Sequence, residues 1–423
     1  MKIVFVYPNR INLEKLYQYK YIPIRQKTDK VKLVIPAGIL SVQSNCKYPF
    51  QYIDNIVLKM SKERLAGEIL KRKPDIVAIG GTMLGWPEAS YIAKFLKNHN
   101  IITIYGGPNA TCNPLKHIKY FDYVIRGRAE LTFNRLIKEI ENNNIKPFID
   151  GVCYDDYISD PSPSILLNIK NINKNLINLD LYNRSVGKHI PCDTVFTTYG
   201  CPYNCKFCAA KYIWNRKYTI REFESIKSEI DNLINKYNTK SIFFRDDNFT
   251  INRQHMEKIC TLMLEYKIPW KCQTRIDSIN KETLKLLKRS GCIGIICSFE
   301  SINNDTLEYI NKGFNSDDIH KAVELFEKIQ MPWSGGVLVG FPNEKEKHIK
   351  STINFTKQIS KNKYCGINTI PMRFIGIPRS ELYEEIINEN LIEYDWNDGE
   401  ILIPHTKYLK SKEVEKIIDD CVN

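Results

Sequence analysis

At 423 residues, with 43% hydrophobic and 26% charged residues, the chain is too long for one small core and has the composition of a soluble globular protein of two or three domains. Its formal charge of +13 admits a nucleic-acid reading, but the lysines are spread and interleaved with Glu and Asp, as in KSKEVEKIIDD near the C-terminus, so a composition bias explains the sign. No basic start leads into an apolar run and no segment is long and apolar enough to cross a bilayer, so the expected compartment is the cytoplasm, where thirteen cysteines do not read as structural disulfides.

Residues 1–150 alternate strands and helices. KIVFVYP (2–8) has strand length, IPAGILSVQSN (35–45) reads as a helix and PFQYIDNIV (49–57) as a second strand. Ser61 is placed to cap the helix KERLAGEILKRK, with Glu63 in the first turn where a negative charge suits the dipole. DIVAIGG (75–81) and IITIYGG (101–107) are buried-type strands running into Gly-Gly, and DYVIRG (122–127) is a fifth. The helix behind it puts Phe133, Leu136, Ile137 and Ile140 on one face. This alternation predicts a doubly wound parallel sheet, whose glycine-rich strand ends form the expected rim of a ligand site. Residues 151–190, with DPSPS at 160–164, read as a linker or hairpin extension.

A second alternation fills residues 191–379: DTVFTTY (193–199), SIFFRDD (241–247), WKCQTRID (270–277), GIICSFES (294–301), GGVLVGFP (335–342) and GINTIPMR (366–373). Strand–helix units in this series predict a partial barrel with its site on the carboxyl face. Residues 380–423 read as a short helical extension.

The first of these strands delivers CPYNCKFC, with Cys201, Cys205 and Cys208 inside eight positions. A disulfide is the weakest reading of three close thiols. Structural zinc asks for a fourth ligand; Cys292 and Cys297 are the nearest candidates, and their odd separation would put them on opposite strand faces. A cubane iron–sulfur cluster held by three thiolates leaves one iron open for chemistry.

CPYNCKFC has the CxxxCxxC spacing of the radical SAM superfamily, with an aromatic residue before the last cysteine. FFRDDNFT, CQTRID, CSFES and GVLVGFPNE resemble that family's later strands. The resemblance implies a [4Fe–4S] cluster on the three cysteines and S-adenosylmethionine on its open iron, cleaved reductively to a 5′-deoxyadenosyl radical. It also implies adenine contact by Phe207, and polar contacts to S-adenosylmethionine from Arg275, Glu300 and Ser301, with Asp246 and Asp247 at the mouth. A helix-capping turn is the plain alternative for the two aspartates, and an Arg275–Glu300 ion pair for the others.

Residues 30–140 resemble the cobalamin-binding domain that precedes many radical SAM barrels, through GGTMLGWPEA, YGGPNATCNP and VIRGRAELTF. By that likeness Gly80, Gly81 and Thr82, the turn Gly106, Gly107, Pro108, Asn109 and Thr111, and Gly127 with Glu130 would hold a cobalamin. The chain has Asn109 where the family often has His, and it lacks an Asp-x-His-x-x-Gly segment, so no histidine ligand to cobalt is expected through that motif.

The fold expected on this basis is α/β: an N-terminal doubly wound, Rossmann-like cobalamin-binding domain, then a (βα)6 partial TIM barrel of radical SAM type. The expected activity is methylation of an unactivated carbon through methylcobalamin, on a small-molecule or peptide substrate, with a flavodoxin- or ferredoxin-type electron donor and no nucleic-acid or membrane partner. The alternatives are a radical cyclase or rearrangement enzyme, a radical enzyme whose first domain is scaffold alone, and a zinc-bearing RNA-binding module.

Overall fold

A computed structural model of the chain describes residues 1–9, 20, 21, 35–162, 169–182, 184, 189–214 and 216–422. The described residues fall into two compact units, divided near residue 183, with Ala209–Lys217 belonging to the first and Lys20 and Tyr21 to the second.

The first unit is a sheet of β1 (Ile3–Tyr7), β2 (Phe50–Asp54), β3 (Ile76–Gly80), β4 (Ile102–Gly106), β5 (Tyr123–Ile125) and β6 (Val152–Cys153), in the order β2-β1-β3-β4-β5-β6. All neighbours are parallel except β5 and β6. Alternation explains why both faces are apolar. Val4 and Val6 pack with Leu65, Ile69 and Ile92 on one side, while Ile3 and Phe5 pack with Ile39, Phe133 and Leu136 on the other. The helix Thr132–Glu141 buries the four residues that its periodicity predicts, each worth about 1.5–3 kcal/mol of transfer free energy. Ser61 caps Lys62–Lys71, its Oγ accepting from the Arg64 N–H at 3.3 Å. The strand order reverses between β1 and β3, so their carboxyl ends form the crevice where such sheets take ligands.

The first unit runs past residue 150. Val152 and Cys153, expected in a linker or hairpin extension, are fully buried and close the sheet edge as β6. Residues 163–168, 183 and 185–188 of that expected segment lie outside the described residues.

The second unit begins with β7 (Cys192–Val195) and the short ribbon of β8 (Thr198–Tyr199) and β9 (Thr219–Ile220), then continues with β10 (Ser241–Phe244), β11 (Trp270–Thr274), β12 (Cys292–Cys297) and β13 (Trp333–Ser334). β7, β10, β11, β12 and β13 form one parallel sheet, and β14 (Leu338–Val339) pairs in parallel with β15 (Met372–Arg373). The fifth predicted strand, 335–342, holds only the short β14, and β13 precedes it as a separate strand. At the break a Cβ on Gly335 would lie 2.0 Å from the Cys297 carbonyl oxygen, so only glycine allows this approach. Parallel bridges from Glu300 to Val337 and from Trp333 to Cys365 carry the arc across the break. Ile242, Phe244, Trp270, Cys272 and Ile295 pack with Ile230, Ile259, Leu284 and Leu287 of the outer helices, which fixes the strands' helix-facing side.

The C-terminal segment is not purely helical. Between the helices Glu381–Asn388 and Ser411–Val422 lies a hairpin of β16 (Ile392–Trp396) and β17 (Ile401–Pro404). Asn397, Asp398 and Gly399 all have positive φ at its tip, and Ile401, Leu402 and Ile403 are buried. The Asn-Asp-Gly signal for a tight turn is present in the sequence.

Candidate active site

The cysteine loop leaves the carboxyl end of β7 through β8, and a buried hydrogen-bond chain fixes its departure. Asp246, one residue beyond β10's first extension, accepts from the Thr197 N–H (2.6 Å), the Thr198 N–H (2.9 Å) and the Thr197 hydroxyl (2.5 Å). His255 Nε2 lies 2.9 Å from that hydroxyl oxygen. Because the hydroxyl donates to Asp246, the imidazole must donate to it, which selects the Nε2–H tautomer. Burial pushes Asp246 up to about 6 and His255 down to about 4. Asp246 is thus spent on the strand end beneath the loop; the helix Arg253–Tyr266 takes its cap from Asn252 instead.

Beyond Thr198, backbone bonds hold the loop. The Cys208 N–H donates to the Cys205 carbonyl at 3.1 Å, the Lys206 N–H donates to the Ile310 carbonyl at 3.0 Å, and the Lys206 carbonyl accepts from the Leu382 N–H at 3.1 Å. Asn311 Nδ2 reaches the Asn204 carbonyl at 2.9 Å. All three cysteines are free thiols, Cys205 buried and the others half-buried. Arg275 Nη1 stands 3.6 Å from Cys205 Sγ. Burial, with Asp247 and Cys205 nearby, pushes the Cys201 thiol up despite help from a backbone N–H. A bare thiolate at Cys201 is therefore unfavourable and becomes favourable on a cation. Among the described residues no three His, Cys, Asp or Glu side chains converge as a single ion requires. A cubane carries its irons at separate corners and spreads its thiolates further apart, so this donor set fits the cluster better than zinc.

The residues expected around S-adenosylmethionine have mixed placements. Arg275 and Glu300 do not pair with each other. Arg275 is bound by Asp277 at 3.0 Å and by the Lys312 carbonyl, and its guanidinium lies 3.7 Å from the Tyr203 ring centroid. Glu300, with φ of 68°, pairs with Lys312 Nζ at 3.4 Å, both side chains nearly buried. Lys312 also lies 5.6 Å from the Phe207 ring, which faces Phe341 at 6.0 Å between centroids. These contacts bring Arg275, Glu300, Phe207 and the loop together through Lys312. Ser301 is turned away: it is buried against Thr352 (3.1 Å) and Asn303 (3.2 Å). No motif marks Lys312, which lies on the turn after Asn304–Tyr309.

In the first unit, Gly80–Thr82 and Gly106–Thr111 lie side by side at the ends of β3 and β4, the Gly81 N–H donating to the Gly106 carbonyl at 3.2 Å. A Cβ on Gly107, at φ of 110°, would come within 2.6 Å of the Gly81 carbonyl oxygen, whereas one on Gly106 would meet nothing within 4 Å. Thr111 Oγ1 donates to the Gly107 carbonyl and accepts from the Gly127 N–H at 2.9 Å. Asn109 is buried on Tyr105 and His117, and Glu130 is engaged by Arg128 (2.5 Å) and Ser41 (2.7 Å). Of the four glycines at these strand ends, Gly106 alone opens on free space; a Cβ on Gly80 would meet Ile39 and one on Gly81 would meet Pro8, each at 3.2 Å, while Thr111 holds the Gly107 turn.

Comparison with known proteins agrees with this geometry. Residues 195–356 match the Radical SAM superfamily. The chain is 27% identical over 401 residues to an uncharacterized methyltransferase of Pyrococcus horikoshii, covering 90% of this chain and 86% of that one. It is 25% identical over 378 residues to an anaerobic magnesium-protoporphyrin IX monomethyl ester cyclase of Cereibacter sphaeroides, covering 83% of this chain but 59% of the cyclase. The fold matches the radical S-adenosylmethionine methyltransferase TsrM of Kitasatospora setae, solved with cobalamin and a [4Fe–4S] cluster, with a TM-score of 0.77 at 13% identity, covering 100% of this chain and 91% of that one. With its cysteine triad inside the matched segment, the chain carries a radical SAM domain over residues 195–356, which implies a [4Fe–4S] cluster and S-adenosylmethionine as cofactors.

Proposed function

We propose that the protein is a cobalamin-dependent radical SAM methyltransferase acting on an unactivated carbon of a small molecule. The observation that carries this reading is the coexistence, in one chain, of the cysteine loop on a parallel barrel and paired glycine turns, open at Gly106, at the β3 and β4 ends of a doubly wound sheet. The similarity to a methyltransferase over nine-tenths of the chain supports it.

Cys201, Cys205 and Cys208 would hold the cluster, which when loaded supplies the electron that cleaves S-adenosylmethionine to a 5′-deoxyadenosyl radical. Gly80, Gly81, Gly106 and Gly107 would lie against cobalamin, which when bound supplies a methyl group to a substrate carbon. The chain's own residues do the rest. Arg275 and Lys312 keep positive charge beside the loop, favouring its thiolates and any carboxylate brought to them. Phe207 offers an aromatic face beside Phe341. Asp246, Thr197 and His255 hold the strand end from which the loop departs.

The test is elemental and product analysis after anaerobic reconstitution with iron, sulfide and hydroxocobalamin. Retained iron and cobalt, with S-adenosylhomocysteine formed beside 5′-deoxyadenosine, is the expected result. Zinc without iron would overturn the reading. A second reading, radical cyclisation without methyl transfer, draws on the similarity to the cyclase; it predicts 5′-deoxyadenosine without S-adenosylhomocysteine. No helix among the described residues is long and apolar enough to cross a membrane; we place the enzyme in the cytoplasm, with a flavodoxin or ferredoxin as donor.

A further inference from the structure

We propose that the concave face of the barrel binds a small substrate with an apolar body and one oxyanion, a carboxylate or phosphate ester, which Arg245 and Lys271 receive. The inference rests on the radical reading of the same barrel and narrows its substrate.

Strand alternation assigns the face. Ile242, Phe244, Trp270 and Cys272 point into the helix-facing core, so Phe243, Lys271 and Gln273 point the other way. Arg245 keeps this alternation because its N–H still donates to the Val195 carbonyl at 3.0 Å, extending the ladder beyond β10. Thr194, Phe243 and Lys271 are register neighbours, and Lys271 pairs next with Gly294. The missing side chain at Gly294 leaves room for the lysine stem: a Cβ there would sit 3.5 Å from Lys271 Cε and 3.6 Å from Cδ. The Arg245 guanidinium lies 5.0 Å from the Phe243 ring centroid. Both cations are therefore seated on this face.

The surrounding carboxylates are committed elsewhere. Asp193 faces the helices and pairs with Arg184, Asp246 is bound by Thr197, Asp277 by Arg275 and Glu300 by Lys312. Asp247 is the one carboxylate that acts on Arg245. Among the described residues neither Arg245 nor Lys271 has an ion-pair or side-chain hydrogen-bond partner. The two cations stand on adjacent strands of one face, and an oxyanion brought between them would take charge-assisted hydrogen bonds from both.

Distance then sets the size of the occupant. Lys271 and Gln273 precede Arg275 by four and two residues, so at ~3.3 Å per residue their Cα atoms lie about 13 and about 7 Å below the arginine beside Cys205. Ile296 lines the interval on β12, as the register partner of Gln273. Exposed Met372 lies opposite, its Cε 3.4 Å from a Cβ placed on Gly336. An apolar body of small-metabolite length spans that interval with its charged end at Lys271.

The test is a ligand-observed NMR titration of the anaerobically reconstituted full chain with hexanoate, hexyl phosphate and hexanamide, which share one apolar body. The expected result is that at least one anion binds about tenfold more tightly than the amide, the better of the two naming the oxyanion. The Arg245→Met/Lys271→Met double variant is expected to lose this preference. The charge-preserving Arg245→Lys/Lys271→Arg variant is expected to keep it, which separates lost charge from lost folding. Equal binding of amide and anions by the wild-type protein overturns the proposal, as does an anion preference retained by the double methionine variant. Iron per chain and 5′-deoxyadenosine formation by the wild-type protein without probe report on the radical reading separately.

Discussion

The two units solve the same problem at their strand ends in opposite ways. In the first, the carboxyl ends of β3 and β4 are backbone: Gly80, Gly81, Gly106 and Gly107, with Thr111 tying Gly107 to Gly127. In the second, the strand ends carry charged side chains, Arg275 with the more open Asp277 and the nearly buried pair Glu300 and Lys312. A backbone ledge holds a ligand by shape and suits a broad, flat body. A paired-charge rim orients a small polar one and tunes the thiols beside it. The difference explains why a mutation should act on one cofactor and spare the other.

The largest effect is expected at the loop itself. Cys205→Ala removes one of three thiolates and should abolish both iron retention and 5′-deoxyadenosine formation; a protein that still cleaves S-adenosylmethionine would end the radical reading. Lys312→Met comes next. It leaves Glu300 buried without its cation, a change expected to cost about 3–5 kcal/mol of stability, read from the urea midpoint. The matching Lys312→Met/Glu300→Gln variant should recover most of that loss, whereas an unchanged midpoint in the single variant would show that the pair is not structural.

The charged rim also predicts a pH signature. Asp246 is displaced upward, from 3.8 to about 6, so the folded state holds its proton longer than the unfolded state and stability falls as pH rises between those values. His255 is displaced downward, from 6.5 to about 4, so the unfolded state protonates first and stability is lost as pH falls below 6.5. Each displacement is worth ~3 kcal/mol, and the opposing slopes nearly cancel across pH 4 to 6. His255→Gln should expose the aspartate's slope, stability dropping by ~3 kcal/mol as pH rises through that window, and Asp246→Asn should expose the opposite one. Parallel slopes in the two variants would mean that the groups do not titrate in this network.

The glycine ledge gives a smaller and more selective effect. Gly107→Ala forces a Cβ at φ of 110° against the Gly81 carbonyl oxygen, 2.6 Å away, with an expected cost of ~1–3 kcal/mol. Cobalt retention should fall and iron per chain should not. Loss of both together would erase the contrast between the units.

Much of this was legible in the sequence because it rests on local rules. The strand–helix alternation, the Ser61 cap and the buried face of Thr132–Glu141 follow from periodicity and capping. The cysteine loop follows from spacing alone. What the sequence hides is set by partners far apart in the chain. Nothing near Lys312 announces Glu300, and nothing near Asp246 announces that its carboxylate turns back to Thr197, 49 residues earlier. The break between β13 and β14 was invisible for the same reason, since it depends on the Cys297 carbonyl pressing on Gly335. The C-terminal hairpin is a different case: its turn residues were legible and the helical pattern on either side outweighed them.

The smallest expected effect sharpens the comparison within the barrel itself. Cys260, Cys272, Cys292 and Cys297 form a second group of thiols in the same unit, packed in the helix-facing core. Burial pushes Cys260 up to about 12 and Cys272 well above the ordinary thiol range. They should behave as small apolar side chains. Cys260→Ala is expected to cost ~1 kcal/mol for one lost buried sulfur and to leave iron per chain unchanged. Loss of iron in this variant would mean that the core thiols feed the cluster, and the assignment to Cys201, Cys205 and Cys208 would have to be redrawn. The distinction turns on position: cationic and partly open at the strand ends, apolar and sealed between sheet and helices, so the same residue type serves as ligand in one place and as packing in the other.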